Sequence, residues 1–357
     1  MSRRVRRSGC VVASILISAW MGSTTAMAQQ TAAVPAATDT SRPTPVVPGT
    51  VAAGWTPPRT PWGDPDIQGV YSRMHFFVGA VPFERPRELG TRTELTEAEL
   101  KERMAARDKE SAIGLNRPTG TSFDDEISPY LLPSRQTSVV VDPPDGRVPP
   151  YTPEGRKRVE AAEARRRPRT LAGIGPGIFG LEERCITRGF PIAMNPATPT
   201  SAGMQLIQGP GWVVIQIELL NEYRLIPLDS RPTFSPKLRQ WWGQSRGRWE
   251  GNTLVVETTN FNGRMEYRGT GEQLTVIERF TPISYGELDY RYTIDDPGTF
   301  TRPWTIHASW GRHEQVEITE YACHPGNRDL STMITVAQQE FEKASKPAPS
   351  RAPAQKR

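Results

Sequence analysis

From residue 203 onward apolar and polar positions alternate with a period of two. Val213, Ile215, Ile217 and Leu219 interleave with Val214, Gln216 and Glu218, which predicts a half-buried strand. Further strands are predicted at 223–228, 245–250, 253–261, 273–282, 287–295, 304–311 and 315–323. The breaks between them carry turn residues, such as Gly251-Asn252, Tyr285-Gly286 and Asp296-Pro297-Gly298. Links of hairpin length make consecutive strands antiparallel. A meander of about eight to ten strands closes most readily into a barrel, because closure removes exposed edges. The expected fold is therefore mainly β, an antiparallel up-and-down meander closing into a lipocalin-like barrel, with an irregular N-terminal half carrying one or two helices.

That half shows weaker patterning. Residues 66–71 alternate like a first strand, and 137–141 read as a short one inside a long Pro-, Gly- and Asp-rich stretch, 111–153. The clearest helix is expected at 96–108, where Thr96 and Glu99 have the spacing of a capping box. A second, very basic helix is expected at 154–167. Residues 55–341 then form a single domain, between a flexible Ala/Thr/Pro linker at 29–54 and a disordered basic tail at 342–357.

The first 28 residues change the charge argument. Arg3, Arg4, Arg6 and Arg7 precede a short apolar run and an Ala26-Met27-Ala28 cleavage site, the layout of a signal peptide, which predicts a periplasmic or secreted protein. No run reaches the roughly 20 apolar residues of a membrane-spanning helix. The full chain carries +5, but the leader holds four arginines and the tail five basic residues against one acid, so the body is near −3. The apparent basic character that would suggest nucleic acid disappears. Once the leader is removed only Cys185 and Cys323 remain. They allow one intramolecular disulfide, worth on the order of 4 kcal/mol; the alternative is two buried thiols. Metal binding is not expected, since adjacent Cys323 and His324 lack finger-like spacing.

In the meander, the more apolar alternate set of each strand should face inward. Two carboxylates, Glu278 and Glu320, interrupt these stripes. Burial disfavours a charged carboxylate and suits it to acid–base work, although a buried glutamate also commonly pairs with an arginine. His324, at the end of the last expected strand, is the best-placed histidine for proton transfer, and His75 is next. His307 and His313 read as surface residues. These considerations make Glu278, Glu320 and His324 the candidate catalytic residues. Tyr290, Tyr292, Trp304 and Trp310 share the inward face and are the candidate ligand-binding residues. Zinc-protease and Walker motifs are absent from the sequence, the glycine-rich run from Gly173 to Gly180 lacks the lysine and the strand-to-helix context of a phosphate loop, and no cofactor is expected.

The segments Thr60-Pro61-Trp62-Gly63-Asp64-Pro65-Asp66-Ile67-Gln68-Gly69, Arg184-Cys185-Ile186-Thr187-Arg188-Gly189, Ser245-Arg246-Gly247-Arg248-Trp249-Glu250-Gly251 and Tyr321-Ala322-Cys323-His324, together with Asp142-Pro143-Pro144-Asp145-Gly146-Arg147, carry a resemblance. The chain resembles, over about 55–333, a functionally unassigned family of exported bacterial proteins with a lipocalin-like β-rich domain. The resemblance implies that both cysteines belong to the shared design and carries over no catalytic residue. The leading functional expectation is a barrel enclosing a small apolar or aromatic molecule. The alternatives are a cofactor-independent lyase, isomerase or hydrolase, and a structural or partner-binding envelope protein.

Overall fold

The structure, a computed structural model of the 357-residue chain, describes residues 51, 54–73, 81–115, 134–167, 170–191, 194, 203–229, 235, 237–265, 267–313, 317–323 and 328–345. The expected leader, nearly all of the linker, His75, His324 and the end of the tail fall outside these residues.

The period-two alternation folds as two antiparallel meanders. One comprises β3 (Met204–Gly209), β4 (Trp212–Ile217) and β5 (Glu222–Pro227). The other runs through β6 (Gln244–Glu250), β7 (Thr253–Thr259), β8 (Thr275–Pro282), β9 (Glu287–Asp295) and β10 (Trp304–Arg312). The first strand, β1 (Gly69–Arg73), joins them by pairing with β3 on one side and β10 on the other. The strand order is thus β5-β4-β3-β1-β10-β9-β8-β7-β6, with the short β2 (Val140–Asp142) added to β10.

This is a nearly closed, nine-stranded antiparallel barrel whose seam lies between β5 and β6. The seam strands approach closely: a Cβ at Gly247 on β6 would come within 2.6 Å of Leu228 and 2.9 Å of Ile226. A larger residue there would have to push those two side chains aside.

Alternation sets the interior. Leu254, Val256 and Thr258, then Val276, Glu278 and Phe280, then Tyr290 and Tyr292, then Trp304, Ile306, Ala308 and Trp310 are all at 0% exposure. Register places Val256, Glu278, Tyr292 and Ile306 side by side in one layer. Rings fill the space. Phe280 and Tyr290 have centroids 4.7 Å apart, Tyr290 and Tyr292 5.4 Å, and Phe300 and Trp304 5.5 Å.

Three expectations need correction. Residues 317–323 do not form a last strand. The Glu218 carboxylate accepts from the Thr319 amide (3.1 Å) and hydroxyl, and Asn221 exchanges hydrogen bonds with the Tyr321 backbone. Side chains thus satisfy backbone groups that a ladder would otherwise use, and the segment becomes a strap. Glu320 is exposed on it rather than facing the core. The strap ends at Cys323, which is bonded to Cys185 (S–S 1.94 Å, Cα–Cα 5.8 Å). The second correction concerns the tail: a helix, Asp329–Ser345, occupies its expected start.

The other helices follow their signals. α1 (Glu97–Leu115) begins with the expected capping box, the Glu99 carboxylate accepting from the Thr96 amide at 2.8 Å. Hydrogen bonds from Arg92 and from Thr96 hold the Glu99 carboxyl down at about 2. In α2 (Pro153–Arg165), Thr152 caps the Gly155 amide at 3.0 Å. The third helix, α3, is Asp329–Ser345. Among the described residues no helix is long and apolar enough to cross a membrane.

The N-terminal half wraps the outside of the barrel. The amides of Val139 and Val140 donate to Pro82 and Phe83, and the His307 amide donates to Val139. This wrap corrects the surface reading of His307. The ring does point outward from β10, but it is only 6% exposed, and its Nε2 lies 2.5 Å from Asp289 Oδ1. Burial pushes the Asp289 carboxyl up, yet the His307 hydrogen bond and charge together with Arg291 outweigh it, and the net shift is downward. A carboxyl depressed on folding adds stability that is complete above its unfolded value, near pH ~4, and is lost as pH falls through the folded one. Asp289→Asn should therefore be less stable than the parent at pH 7 but lose less additional stability between pH 5 and 3. Denaturant melts across that range would give parallel curves if the pair were irrelevant.

Candidate functional site

The open seam holds a cleft of about 790 Å³. Its construction starts with β5. Alternation in this strand is inverted, with Arg224 and Ile226 buried and Tyr223 and Leu225 at 73% and 51% exposure. Arg224 therefore points inward, across the seam. Its Nη1 donates to Glu278 Oε1 at 3.0 Å and its Nη2 to Oε2 at 2.5 Å, with further contacts from Nη2 to Ser245 (3.0 Å) and Thr258 (3.3 Å). One guanidinium thus ties β5 to β6, β7 and β8. The Phe190 ring covers it, with the guanidinium carbon 4.1 Å from the centroid.

Glu278 has a second partner. Besides Arg224 it accepts from the Tyr290 hydroxyl at 2.8 Å. Burial, followed by the Glu278 charge, pushes the Tyr290 phenol well above its ordinary value, so it stays a donor. A bidentate arginine and a tyrosine take three of the four acceptor sites of this fully buried carboxylate. The geometry is that of a structural clamp.

A second set of bonds crosses the seam at the other end of β5. The Trp242 indole donates to Glu222 Oε1 at 2.6 Å and lies 3.0 Å from Thr187 Oγ1, and the Thr187 hydroxyl also bonds Glu222. Burial raises the Glu222 carboxyl, while the Thr187, Trp242 and backbone Arg188 and Gly189 donors partly pull it back. Past the strand's far end Arg246 donates to the Asp229 carbonyl at 2.9 Å. Side chains therefore replace the missing backbone ladder.

Above this clamp the cleft has an apolar wall of Tyr223, Leu225 and Pro227 on one side and half-buried Trp241 and Trp242 on the other. Arg224 and Ser245 form its polar floor. The Nε of Arg224 is buried without a hydrogen-bond partner in the protein. The cleft can thus hold a flat apolar body.

The residues singled out from sequence separate into three groups. Glu278, Tyr290, Tyr292, Trp304 and Trp310 come together in the barrel interior, where all are fully buried. Tyr290 meets Glu278 directly, whereas Trp304 packs in a ring cluster with Phe83, Tyr267 and Phe300. Glu320 is brought instead to a notch of about 150 Å³ beside Cys185 and Cys323. His324 lies outside the described residues, and no cluster of metal-binding side chains occurs among those described. Arg224, Tyr223, Leu225 and Phe190 were not anticipated. The available signal was an arginine in the middle of a β-branched and aromatic strand. No family model, curated protein or solved structure matches this chain.

Proposed function

We propose that this is an exported binding protein that holds a small, flat, largely apolar molecule in the seam cleft. The observation that supports this reading is the gathering of large exposed apolar side chains, Tyr223 and Leu225, opposite Trp241 over one buried arginine. Exposed apolar residues concentrated on a concave surface mark binding sites more often than structural need. The barrel supplies the rigid frame. The ligand sits on its seam rather than in its interior, because the interior positions are occupied by the protein's own rings.

The test is native mass spectrometry of the full chain mixed with a metabolite extract, followed by titration of any retained compound. Tyr223→Ser with Leu225→Ser should weaken binding roughly tenfold or more, since each buried apolar side chain contributes about 1.5–3 kcal/mol. Both residues are exposed, so stability should change by no more than about 0.5 kcal/mol each. A retained ligand whose affinity ignores this double substitution would place binding elsewhere and overturn the proposal.

A further inference from the structure

A second depression, of about 600 Å³, lies between α2 and the segment after β7, and Trp241 forms a wall of both this basin and the seam cleft. Arg158, Arg165, Arg184 and Arg264 line it, and no carboxylate does among the described residues. Several acids close to it in sequence are paired. Glu272 pairs with Arg239 at 3.2 Å, Glu182 with Arg188, and Glu163 with Arg167 at 3.9 Å. Asp296 accepts from the amides of Gly271 and Gly298 and from the Thr299 hydroxyl.

Two of the four arginines are held by neutral carbonyls. Arg158 donates through Nε to Gly269 (2.8 Å) and through Nη2 to Gly298 (2.7 Å), and Arg184 donates through Nε to Gly180 (3.1 Å). Carbonyls orient a guanidinium without cancelling its charge. Like charges gathered in this way repel one another, and an anion placed among them relieves the repulsion while the planar guanidinium forks bind its oxygens in pairs. The basin also exposes apolar surface, with Ile186 at 46% beside Trp241. Its volume exceeds what a bare phosphate ion fills.

We infer that this basin is a second binding site, for an organic molecule bearing an oxyanion such as a phosphate ester or a carboxylate. The guanidinium groups take the oxyanion, and Ile186 and Trp241 take the organic part. The inference is independent of the seam cleft and does not require that site to be occupied.

Isothermal titration of the full chain with 1-naphthyl phosphate, 1-naphthoate and inorganic phosphate tests it. The naphthyl phosphate should bind more tightly than inorganic phosphate and weaken as salt rises. Arg264→Gln, an exposed position, should weaken it several-fold, and combining it with Arg184→Gln should reach roughly tenfold or more. Arg248→Gln, on exposed β6, should leave binding unchanged. If naphthoate binds more tightly and responds to the same substitutions, the site stands with carboxylate as its preferred group. The inference is overturned if neither naphthyl anion binds, if Arg264→Gln has no effect, or if Arg248→Gln weakens binding equally. A loss caused by Tyr223→Ser would assign the probe to the seam cleft and also overturn it.

Discussion

Replacing Arg224 by methionine is expected to cost about 3–5 kcal/mol of stability, the range for removing one partner of a buried ion pair. Glu278 is fully buried and Arg224 is 3% exposed, so the substitution would strand a carboxylate with only Tyr290 to support it. The loss should be cooperative with the seam. Arg224 is the one described side chain that bonds β6, β7 and β8 together from β5, so hydrogen exchange should accelerate first in β5 and β6. Glu278→Met alone should be comparably damaging, since it strands the guanidinium. The double variant, Arg224→Met with Glu278→Met, should recover most of the loss, because well-packed apolar groups avoid the desolvation cost of both charges. Urea melts of the three variants decide the matter. Additive losses in the double variant would mean that the two charges do not act as a pair.

The second large effect is expected at the disulfide. Cys185 and Cys323 are separated by 138 residues, so their bond restricts an unfolded loop of that length and should contribute about 4–5 kcal/mol in the chain-entropy model. Cys185→Ala with Cys323→Ala should lower the unfolding midpoint accordingly, and reductant should shift the parent but not the variant. The consequences extend to the cleft. Residues that follow Cys185 carry Thr187, which bonds Glu222 and Trp242, and Phe190, which covers Arg224. Cleft affinity should therefore fall along with stability. If the midpoint were the same with and without the bond, the strap would have to be held by Glu218 and Asn221 alone.

The contrast between β5 and β8 shows how far the pattern of residues reaches. In β8 alternation assigns Val276, Glu278 and Phe280 to the inside, and they are inside, because five of their six neighbours in register are apolar or aromatic and tolerate only one orientation of the strand. In β5 the same rule would turn Tyr223 and Leu225 inward. The structure turns them outward, and Arg224 faces inward to bond a carboxylate 54 residues away. Nothing local to residues 222–227 announces that partner. The strap fails for a related reason. Its alternation suits a strand, but Glu218 and Asn221 reach its backbone first, and both are about 100 residues distant.

The sequence by itself determined the antiparallel β-rich architecture, most strand positions, the inward stripes of β7 to β10, the α1 capping box and the presence of an acid within the barrel core. These depend on periodicity and on bonds between near neighbours, which a single chain displays directly. Tertiary structure decided the rest. It set β1 between the two meanders, left the seam open at β5 and β6, and paired Glu278 with Arg224. It also buried His307 under the wrap, gathered four arginines around Trp241 and joined Cys185 to Cys323. Each of those outcomes is a meeting of residues far apart in the chain, settled by which partner relieves the larger cost of burying a charge or leaving a strand edge bare.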